Sequence, residues 1–368
     1  MALFELQHGM HGMHGMHGMH GMHGMHGMHG MHGMHGMHGM HGMAAADSAT
    51  LASGLQSGGQ AIIHAAGQDP IDPAALHDLE PGAGRNLRRW APDIRALLYQ
   101  SVFQSHFGWQ AADPAAAVRL TWDGAGLVRS TRPSDATLAR QVEFVRHYAD
   151  QRGDRAAEIA SQIGNFAPYF GLVLGLTSAR NARTYELLSV VLSLAGLATM
   201  MPKHLFACRR PDEVDARVLP LIPTPGHGTY PSGHATQAFA MAEVGAALVR
   251  ANPDHFPDDA TRIDLLYRTA HRIAVNRTVA GVHFPVDSWL GAIIGRQVGR
   301  VLVGLMAGGN RPAQQSFDPN ALADRDFLYS DVAAMPASVA TGTAIVPDPV
   351  MAWLWSDCLA EFTLGGTP

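Results

Sequence analysis

Apolar residues recur at three- and four-residue spacing along most of the chain from about Asn86 onward. This period places apolar side chains on one face of an α-helix, and no convincing series of alternating residues indicates strands. The sequence therefore predicts an all-α fold built from helical bundles. Helices are expected at 86–105, 134–150, 154–163, 180–200, 234–250, 260–276 and 286–306, with a further one at 349–361.

Polar residues stand where several of these helices should begin. Ser134-Asp135, Ser178 and Asp258-Asp259 occupy positions suited to helix N-caps. The stretch from Arg217 to Pro231 contains four prolines and two glycines, which predicts a long loop. Long loops inside compact domains are usually functional or disordered.

Four regions differ in composition. The triplet His-Gly-Met repeats twelve times from His8 to Met43, and the next residues are small and rich in Gly, Ala and Pro. We expect a low-complexity tail followed by a linker, a helical catalytic domain and a C-terminal extension packed on that domain. The corresponding ranges are 1–43, 44–85, 86–310 and 311–368.

The net charge and the cysteine content restrict which partners and which cellular compartment are expected. The formal net charge of −5 gives no indication of a nucleic-acid partner. Cys208 and Cys358 are the only two cysteines, which form no disulfide framework and fit a reducing compartment. The first residues lack a basic segment followed by an apolar stretch, so we expect no secretion signal and a cytoplasmic location.

Two apolar runs in the sequence are candidates for helices that cross a bilayer. The run from Leu187 to Met201 is too short, and the run from Trp289 to Met306 is interrupted by Arg296 and Arg300. The sequence therefore predicts a soluble protein with no membrane partner.

A single lysine stands among 26 basic residues, and the other 25 are arginines. Surface charge is supplied equally well by either residue, so an arginine-rich chain keeps lysine where a compact ammonium is needed rather than a planar fork. Lys203 is therefore a candidate functional residue.

Three short segments carry the candidate chemistry. Lys203 and Arg210 are seven residues apart, and a proline follows the arginine. Tyr-Pro-Ser-Gly-His ends at His234, where a helix is expected to begin. The third segment contains Asn276-Arg277, His283 and Asp287.

Together these residue types describe a site for a tetrahedral oxyanion. Lys203, Arg210 and Arg277 supply three positive charges, and guanidinium groups bind pairs of oxygens. Ser232 and Gly233 lie where free backbone N–H groups and the helix dipole favour an anion. We call these five residues the oxyanion cage.

Two histidines complete the candidate site. One can act as a general acid and base, and the other can bond to the central atom from the opposite side. Asp287 follows His283 by one helical turn and can hold its second ring nitrogen.

These motifs resemble the superfamily that joins the phosphatidic-acid-phosphatase type 2 enzymes, the bacterial acid phosphatases and the vanadium haloperoxidases. The resemblance implies vanadate or phosphate held by the cage, His283 bonded to vanadium, and His234, Lys203 and Asp287 as catalytic residues. Asn276 departs from the phosphatase pattern, which usually has serine there.

The loop around His227 resembles the haloperoxidases more than the phosphatases. Seven residues before the acid-base histidine, seaweed bromoperoxidases also have histidine and fungal chloroperoxidases have phenylalanine. The resemblance thus implies a vanadate-dependent haloperoxidase that oxidises bromide or iodide with hydrogen peroxide, and His227 is a candidate for halide tuning. A small organic acceptor and a homo-oligomer are expected.

Two other functions remain open. A soluble acid phosphatase would use the same cage with a phosphohistidine intermediate at His283. A metal-sequestering or assembly protein would act through its tail.

The tail itself has four interpretations. It can be a disordered segment, a copper or nickel site of imidazole and thioether ligands, a scavenger of hypohalous acid, or a set of polyproline-II-like strands.

Overall fold

The computed structural model describes residues 49–66, 72–73, 79–113, 117–335 and 339–363. The predicted tail at 1–43 lies outside the described residues. The chain divides into two units, residues 1–98 and 99–368.

The first unit contains a helix where the sequence indicated a linker. Helix α1 spans Ala49–Ala66, and a 3-10 helix spans Gly84–Arg89. Helix α2 begins at Pro92 and ends at His106, whereas a continuous helix was predicted from residue 86. Proline disfavours a helical conformation of the residue before it, which separates the 3-10 helix from α2.

The second unit is mostly helical. Seven of its helices lie close to the ranges that their apolar spacing predicted: α3 Asp135–His147, α4 Arg152–Ser161, α6 Ala182–Phe206, α8 Gly233–Ala251, α9 Asp259–Val279, α10 Pro285–Ala307 and α12 Pro349–Ala360. Among the described residues of this unit, three further helices were not predicted: α5 Ala167–Leu174, α7 Pro211–Val214 and α11 Tyr329–Ala333.

Helix boundaries follow local hydrogen bonds. Ser134 caps α3 as expected, because its hydroxyl accepts a hydrogen bond from the Thr137 amide at 3.1 Å. Ser178 does not cap α6. Instead, Asn181 accepts from the Thr177 amide at 2.9 Å, which closes a turn and delays the helix to Ala182.

Helix α8 lies at the centre and packs against α6, α9 and α10. Its closest neighbour is α10, which presents a glycine on each successive turn. A Cβ atom at Gly291 would lie 2.7 Å from the Ala235 Cβ, and one at Gly299 would lie 2.6 Å from the Glu243 Cβ. At Gly295 an added Cβ would clash with the backbone of α8. The three glycines therefore let the two helices approach closely.

The expectation of an all-α fold is wrong in one respect, because the structure contains two sheets. Strands β1 Phe107–Asp113, β2 Ala117–Trp122 and β3 Ala125–Thr131 form an antiparallel meander, and β5 Gln315–Phe317 joins β3 in parallel. The second sheet pairs β4 Gly309–Pro312 with β6 Ala340–Ile345. Five of the six residues of β2 are buried, so the alternation that reveals a half-exposed strand is absent.

The larger sheet contacts the second of the three candidate segments, residues 230–234. The Ser130 hydroxyl on β3 lies 2.6 Å from the Tyr230 hydroxyl, and both residues are buried. Tyr230 also packs edge-on against Phe206 at the end of α6. The loop that leads into α8 is thereby fixed to a sheet that its own sequence did not indicate.

Two segments are long and apolar enough to cross a bilayer by length and composition, Ala182–Val214 and Pro285–Ala307. Of their most apolar windows, 67% and 72% is buried inside the protein. These segments are longer than the apolar runs 187–201 and 289–306 from which the sequence predicts no membrane span, and the second segment includes the arginines at 296 and 300. The core helices of a soluble protein meet the same criterion, so this finding is weak evidence for a membrane location.

Candidate active site

The residues of the three motifs lie at helix ends that face one another. Lys203 is in the last turns of α6, and Ser232 immediately precedes α8. Arg277 is in the last turn of α9, and Asp287 is in the first turn of α10. Each motif is thus placed by the start or the end of a core helix.

Arg210 is the residue with the most contacts in this site. Its Nη1 donates to the Val282 carbonyl at 2.7 Å and lies 3.1 Å from Nε2 of His283. Its Nε and Nη2 reach the carbonyl and Nδ1 of His227, each at 3.0 Å. The Arg210 guanidinium therefore connects its own segment, which begins at Lys203, to the segment that contains His283. His227 lies next to the cage through the same guanidinium.

His283 has a defined tautomer. Its Nε2 accepts from Arg210, since a guanidinium can only donate. Its Nδ1 lies 2.9 Å from Oδ2 of Asp287 and 3.1 Å from the Thr229 hydroxyl. Asp287 also accepts from the Thr229 hydroxyl and, at 3.0 Å, from the Phe284 amide. The proton is on Nδ1, and the lone pair on Nε2 is directed toward the cations.

Lys203 holds the loop that carries Thr229. Its ammonium donates to the carbonyls of Gly228 and Thr229, each at 3.0 Å. A Cβ at Gly228 would lie 2.9 Å from the Lys203 carbonyl, so the two backbones approach closely there. One of the three ammonium donors remains for an oxyanion.

Ser232 begins α8 as its N-cap. Its hydroxyl accepts from the Ala235 amide at 3.3 Å, and its own amide donates to the Asp287 carbonyl at 3.0 Å. The first turn of α8 offers backbone N–H groups and the positive end of the helix dipole. Gly233 is the first residue of this turn.

One nitrogen of the Arg277 guanidinium is hydrogen-bonded to the protein, and within the ranges that the structure describes the other two are not. Its Nη2 donates to Oε1 of Gln162 at 2.9 Å and to the Ile159 carbonyl at 3.2 Å. Its Nε and Nη1 are buried and have no hydrogen-bond partner among the described residues. Buried guanidinium N–H groups require acceptors, and an oxyanion supplies them.

His234 shares a partner with Arg277. Its Nε2 lies 2.9 Å from the Gln162 carbonyl, which only accepts, so Nε2 carries the proton and Nδ1 is the free nitrogen. The ring stacks on Phe166 with centroids 5.4 Å apart. Burial, together with the charge of Arg277, lowers the pKa of His234 to about 3.

The electrostatic balance of the site is positive. Lys203, Arg210 and Arg277 are at most 2% exposed, and Asp287 is the carboxylate buried among them. Burial lowers the pKa of each arginine to about 10, so both stay charged at neutral pH. Burial raises the pKa of Asp287 to about 6. Burial and the charge of Arg210 lower the pKa of Lys203 well below its ordinary value, and a neighbouring anion favours its ammonium form. With the three cations and Asp287 charged, the surplus is two positive charges, which a dianion would balance.

These features fit phosphate or vanadate. The unpartnered N–H groups of Arg277, the open turn of α8 and the surplus charge all suit a tetrahedral oxyanion with two negative charges. No group of three or more His, Cys, Asp or Glu residues suited to a metal cation occurs within the described part of the chain. Vanadate would fit this site as an oxyanion held by the same donors.

Several residues of the site carry no recognisable sequence signal. Gln162 lies at the end of α4, outside every motif, yet it contacts both Arg277 and His234. Thr229 is in the proline-rich loop, and His227 is the residue of that loop that the sequence indicates as a candidate. The importance of both depends on contacts between segments that are distant in sequence. Asn276, the departure from the phosphatase pattern, donates to Gln162 at 3.0 Å and to Glu158 at 2.9 Å.

Residues 184–310 match the sequence profile of the PAP2 superfamily. This segment holds the cage, both candidate catalytic histidines, His227 and Asp287, and it covers about a third of the chain. The search of the curated proteins found no match. Among solved structures, the chain is similar to the first transmembrane PAP2 type phosphatidylglycerolphosphate phosphatase from Bacillus subtilis. The identity is 17% over 45% of this chain and 83% of that chain, with a TM-score of 0.37.

Proposed function

We propose that the protein is a phosphatase that hydrolyses phosphate monoesters with His283 as the nucleophile. The observation that supports this most directly is the lone pair of His283 Nε2, which lies 3.1 Å from a cation inside a buried site of surplus positive charge. The PAP2 profile match over the same residues favours this activity over the haloperoxidase activity that the loop sequence indicated.

Substrate binding would use the open donors of the cage. The non-bridging oxygens of the phosphoryl group would accept from Nε and Nη1 of Arg277 and from the first turn of α8. Arg210 and Lys203 would balance the remaining charge. Donors that are already oriented in a site of low polarity stabilise the charge that develops during phosphoryl transfer.

In the first chemical step, Nε2 of His283 attacks phosphorus. An N–P bond forms, the P–O bond to the leaving group breaks, and His234 gives its Nδ1 proton to the leaving oxygen. The imidazole of His283 becomes positively charged while Asp287 holds its Nδ1 proton, so the carboxylate stabilises the phosphohistidine.

In the second step, water attacks phosphorus and His234 accepts the proton of that water at Nδ1. The N–P bond breaks, the electron pair returns to Nε2 of His283, and inorganic phosphate leaves. His234 therefore acts as acid and then as base, and its hydrogen bond to the Gln162 carbonyl keeps Nδ1 in place.

The low pKa of His234 belongs to the site without an anion. Its two main causes are burial and the charge of Arg277. A bound dianion neutralises the cage and raises the pKa of this imidazole, so the substrate itself helps to protonate the general acid. We therefore expect the activity to be highest at acidic pH.

A second candidate is the vanadate-dependent haloperoxidase, and the contact between His227 and Arg210 favours it. Nδ1 of His227 lies 3.0 Å from Nη2 of Arg210 and 3.1 Å from the Gly228 carbonyl, so the half-buried imidazole stands beside the cage rather than on an exposed loop. Vanadate held by the cage residues and His283 would supply activation of hydrogen peroxide for halide oxidation. The protein would contribute the oriented cations, and His234 would accept a proton.

One pair of assays distinguishes the two activities. Purified protein is assayed for p-nitrophenyl phosphate hydrolysis and for bromide-dependent bromination with hydrogen peroxide, each before and after addition of orthovanadate. A phosphatase hydrolyses the ester without additives and is inhibited by vanadate. A haloperoxidase brominates only after vanadate is added, and phosphate competes with it. Hydrolysis that persists in His283→Ala would overturn the proposed nucleophile.

We also propose that α6 and α10 are core helices of a domain that works outside the bilayer. Arg296 and Arg300 of α10 lie 2.9 and 3.2 Å from Glu243 of α8, and Gln297 between them is fully buried. These polar residues face protein, where they have partners. Recovery of the protein in the membrane fraction after alkaline carbonate extraction would contradict this location.

A further inference from the structure

A surface cavity of about 350 Å³ lies on the outer side of α9, apart from the cage. Its walls come from the end of α3 and the start of α4, from α9, and from the segment before α11. No residue of the cage lines it, nor do His234 or His283. A volume of this size is typical of sites for small organic molecules.

Three guanidinium groups line this cavity, and no carboxylate is among the lining residues. Arg272 is held from behind by Glu158, with its Nη2 2.6 Å from Oε2. Arg268 is held by Asp264 at 2.5 Å. Arg155 makes one hydrogen bond, from Nη1 to Oδ1 of Asn276 at 3.2 Å, and it forms no ion pair within the described ranges.

Arg155 has both cationic and anionic neighbours. Burial and the charge of Arg272 lower its pKa, whereas Glu158, Tyr148 and Asp154 raise it. Two guanidinium groups that face one cavity repel each other, and an anion between them would remove this repulsion.

The remaining wall is aromatic. The rings of Phe327 and Tyr329 both pack on His271, with centroids 5.2 and 5.6 Å apart. Arg268 lies 4.2 Å above the Tyr329 ring. The Tyr329 hydroxyl donates to Asp264, so the ring is fixed in place. A flat ring bound here would stack against this wall while its charged group meets the guanidinium groups.

We propose that this cavity is a second, separate binding site for a small aromatic acid, with its anionic group on Arg155 and Arg272. The inference does not depend on which reaction the cage performs. The cavity also borders the supports of the cage. Asn276 bonds Arg155 on one side and Gln162 on the other, and Gln162 holds Arg277.

The test measures benzoate binding to the full-length protein by calorimetry. Cyclohexanecarboxylate, which has the charge without the ring, and benzyl alcohol, which has the ring without the charge, serve as comparison ligands. We expect benzoate to bind more tightly than either. Lys203→Met, which removes a cation of the cage, should leave the affinity for benzoate unchanged because Lys203 does not line the cavity. If Lys203→Met loses benzoate binding, the binding site is the cage and the proposal fails.

Variants locate the site. Arg155→Gln should weaken benzoate binding by about tenfold or more, since one charge-assisted hydrogen bond is lost. Arg250→Gln, at an exposed position at the end of α8 that does not line the cavity, should bind like the wild type. Unchanged affinity in Arg155→Gln overturns the proposal. If that variant loses its cooperative thermal transition, Arg272→Gln decides, because its side chain is 53% exposed and tolerates replacement. Undiminished binding in Arg272→Gln would then overturn it.

Discussion

Nη1 of Arg210 lies 3.1 Å from Nε2 of His283, so the cation and the proposed nucleophile are hydrogen-bonded to each other. This contact occupies the lone pair that must bond to phosphorus. In the proposed reaction, an oxyanion would replace His283 as the acceptor of Nη1, and the lone pair of Nε2 would become available to phosphorus.

Replacing Arg277 with methionine should lower turnover without lowering the melting temperature. The change removes a buried charge that has two N–H groups without partners, so the free protein should melt at the same temperature or higher. Turnover should fall by about 10²–10³-fold, as expected when a donor to the transition state is lost. The measurements are kcat and Tm with and without phosphate. Phosphate should raise the Tm of the wild type and leave that of Arg277→Met unchanged. An equal phosphate-induced rise in both proteins would contradict the role of Arg277.

Replacing Lys203 tests why a single lysine is retained. Lys203→Ala removes a charge and two hydrogen bonds to the loop at Gly228 and Thr229, so we expect turnover to fall by orders of magnitude. The loss from one charge-assisted contact is about 2.7–4 kcal/mol of transition-state stabilisation. Lys203→Arg should be nearly as damaging, because the position is 2% exposed and a planar fork cannot donate to both carbonyls in the same space. Lys203→Met is the matched control for side-chain length. Full activity in the arginine variant would refute the argument from the lone lysine.

His227→Phe tests the haloperoxidase alternative. The substitution removes the acceptor of Arg210 Nη2 at the edge of the cage and leaves every cage residue in place. If the protein brominates, bromide and iodide kinetics should change more than the affinity for vanadate. Steady-state kinetics at several pH values and a vanadate titration measure the two effects. Unchanged halide kinetics and pH profiles would make His227 a residue without influence on the reaction.

Stability should fall as the solution is acidified. Burial lowers the pKa of His227 to about 4 and that of His234 to about 3, from an ordinary value of 6.5, and it also lowers the pKa of His283. Below pH 6.5 the unfolded chain therefore binds more protons than the folded protein, and acid favours unfolding. Burial also lowers the pKa of His271. Asp287 acts in the opposite sense between its ordinary value of 3.8 and about 6, but it is one group against four imidazoles.

The measurement is Tm between pH 7.5 and 5 in a buffer free of phosphate. His283→Gln should show a shallower fall than the wild type, whereas His204→Gln, at an exposed position, should match it. A Tm that rises on acidification would show that the carboxylate outweighs the imidazoles.

The contacts of the site also show what the sequence could and could not reveal. Helix α8 is predictable because its apolar residues keep a regular spacing, and the residues assigned to the cage can be recognised because charged residues at such spacings are rare. The strands were missed because β2 is buried on both faces and has no alternation to detect. Gln162 was missed because its role depends on Arg277 and His234, which are more than 70 residues away along the chain. Only the folded chain brings such partners together.

The tail should be dispensable for the chemical step and should bind soft or borderline metal ions. Removing residues 1–43 takes away no cage residue, so turnover should persist. Twelve imidazoles and twelve thioethers are a dense set of nitrogen and sulfur donors, which favour copper over magnesium or calcium. Calorimetry with copper on full-length and truncated protein tests this, and histidine protonation should release the metal near pH 6 and below. Equal copper binding by both forms would leave the tail as a linker, a scavenger or an assembly strand.

The glycines at 291, 295 and 299 set the separation of α8 and α10 along three successive turns. Ser232 begins one of these helices and Asp287 lies in the first turn of the other, and the two are joined by a backbone hydrogen bond of 3.0 Å. The separation of these two helix starts at the candidate site is therefore set by positions that lie outside the site. A side chain larger than hydrogen at any of the three glycines would force α8 and α10 apart, and with them the candidate residues His234 and His283.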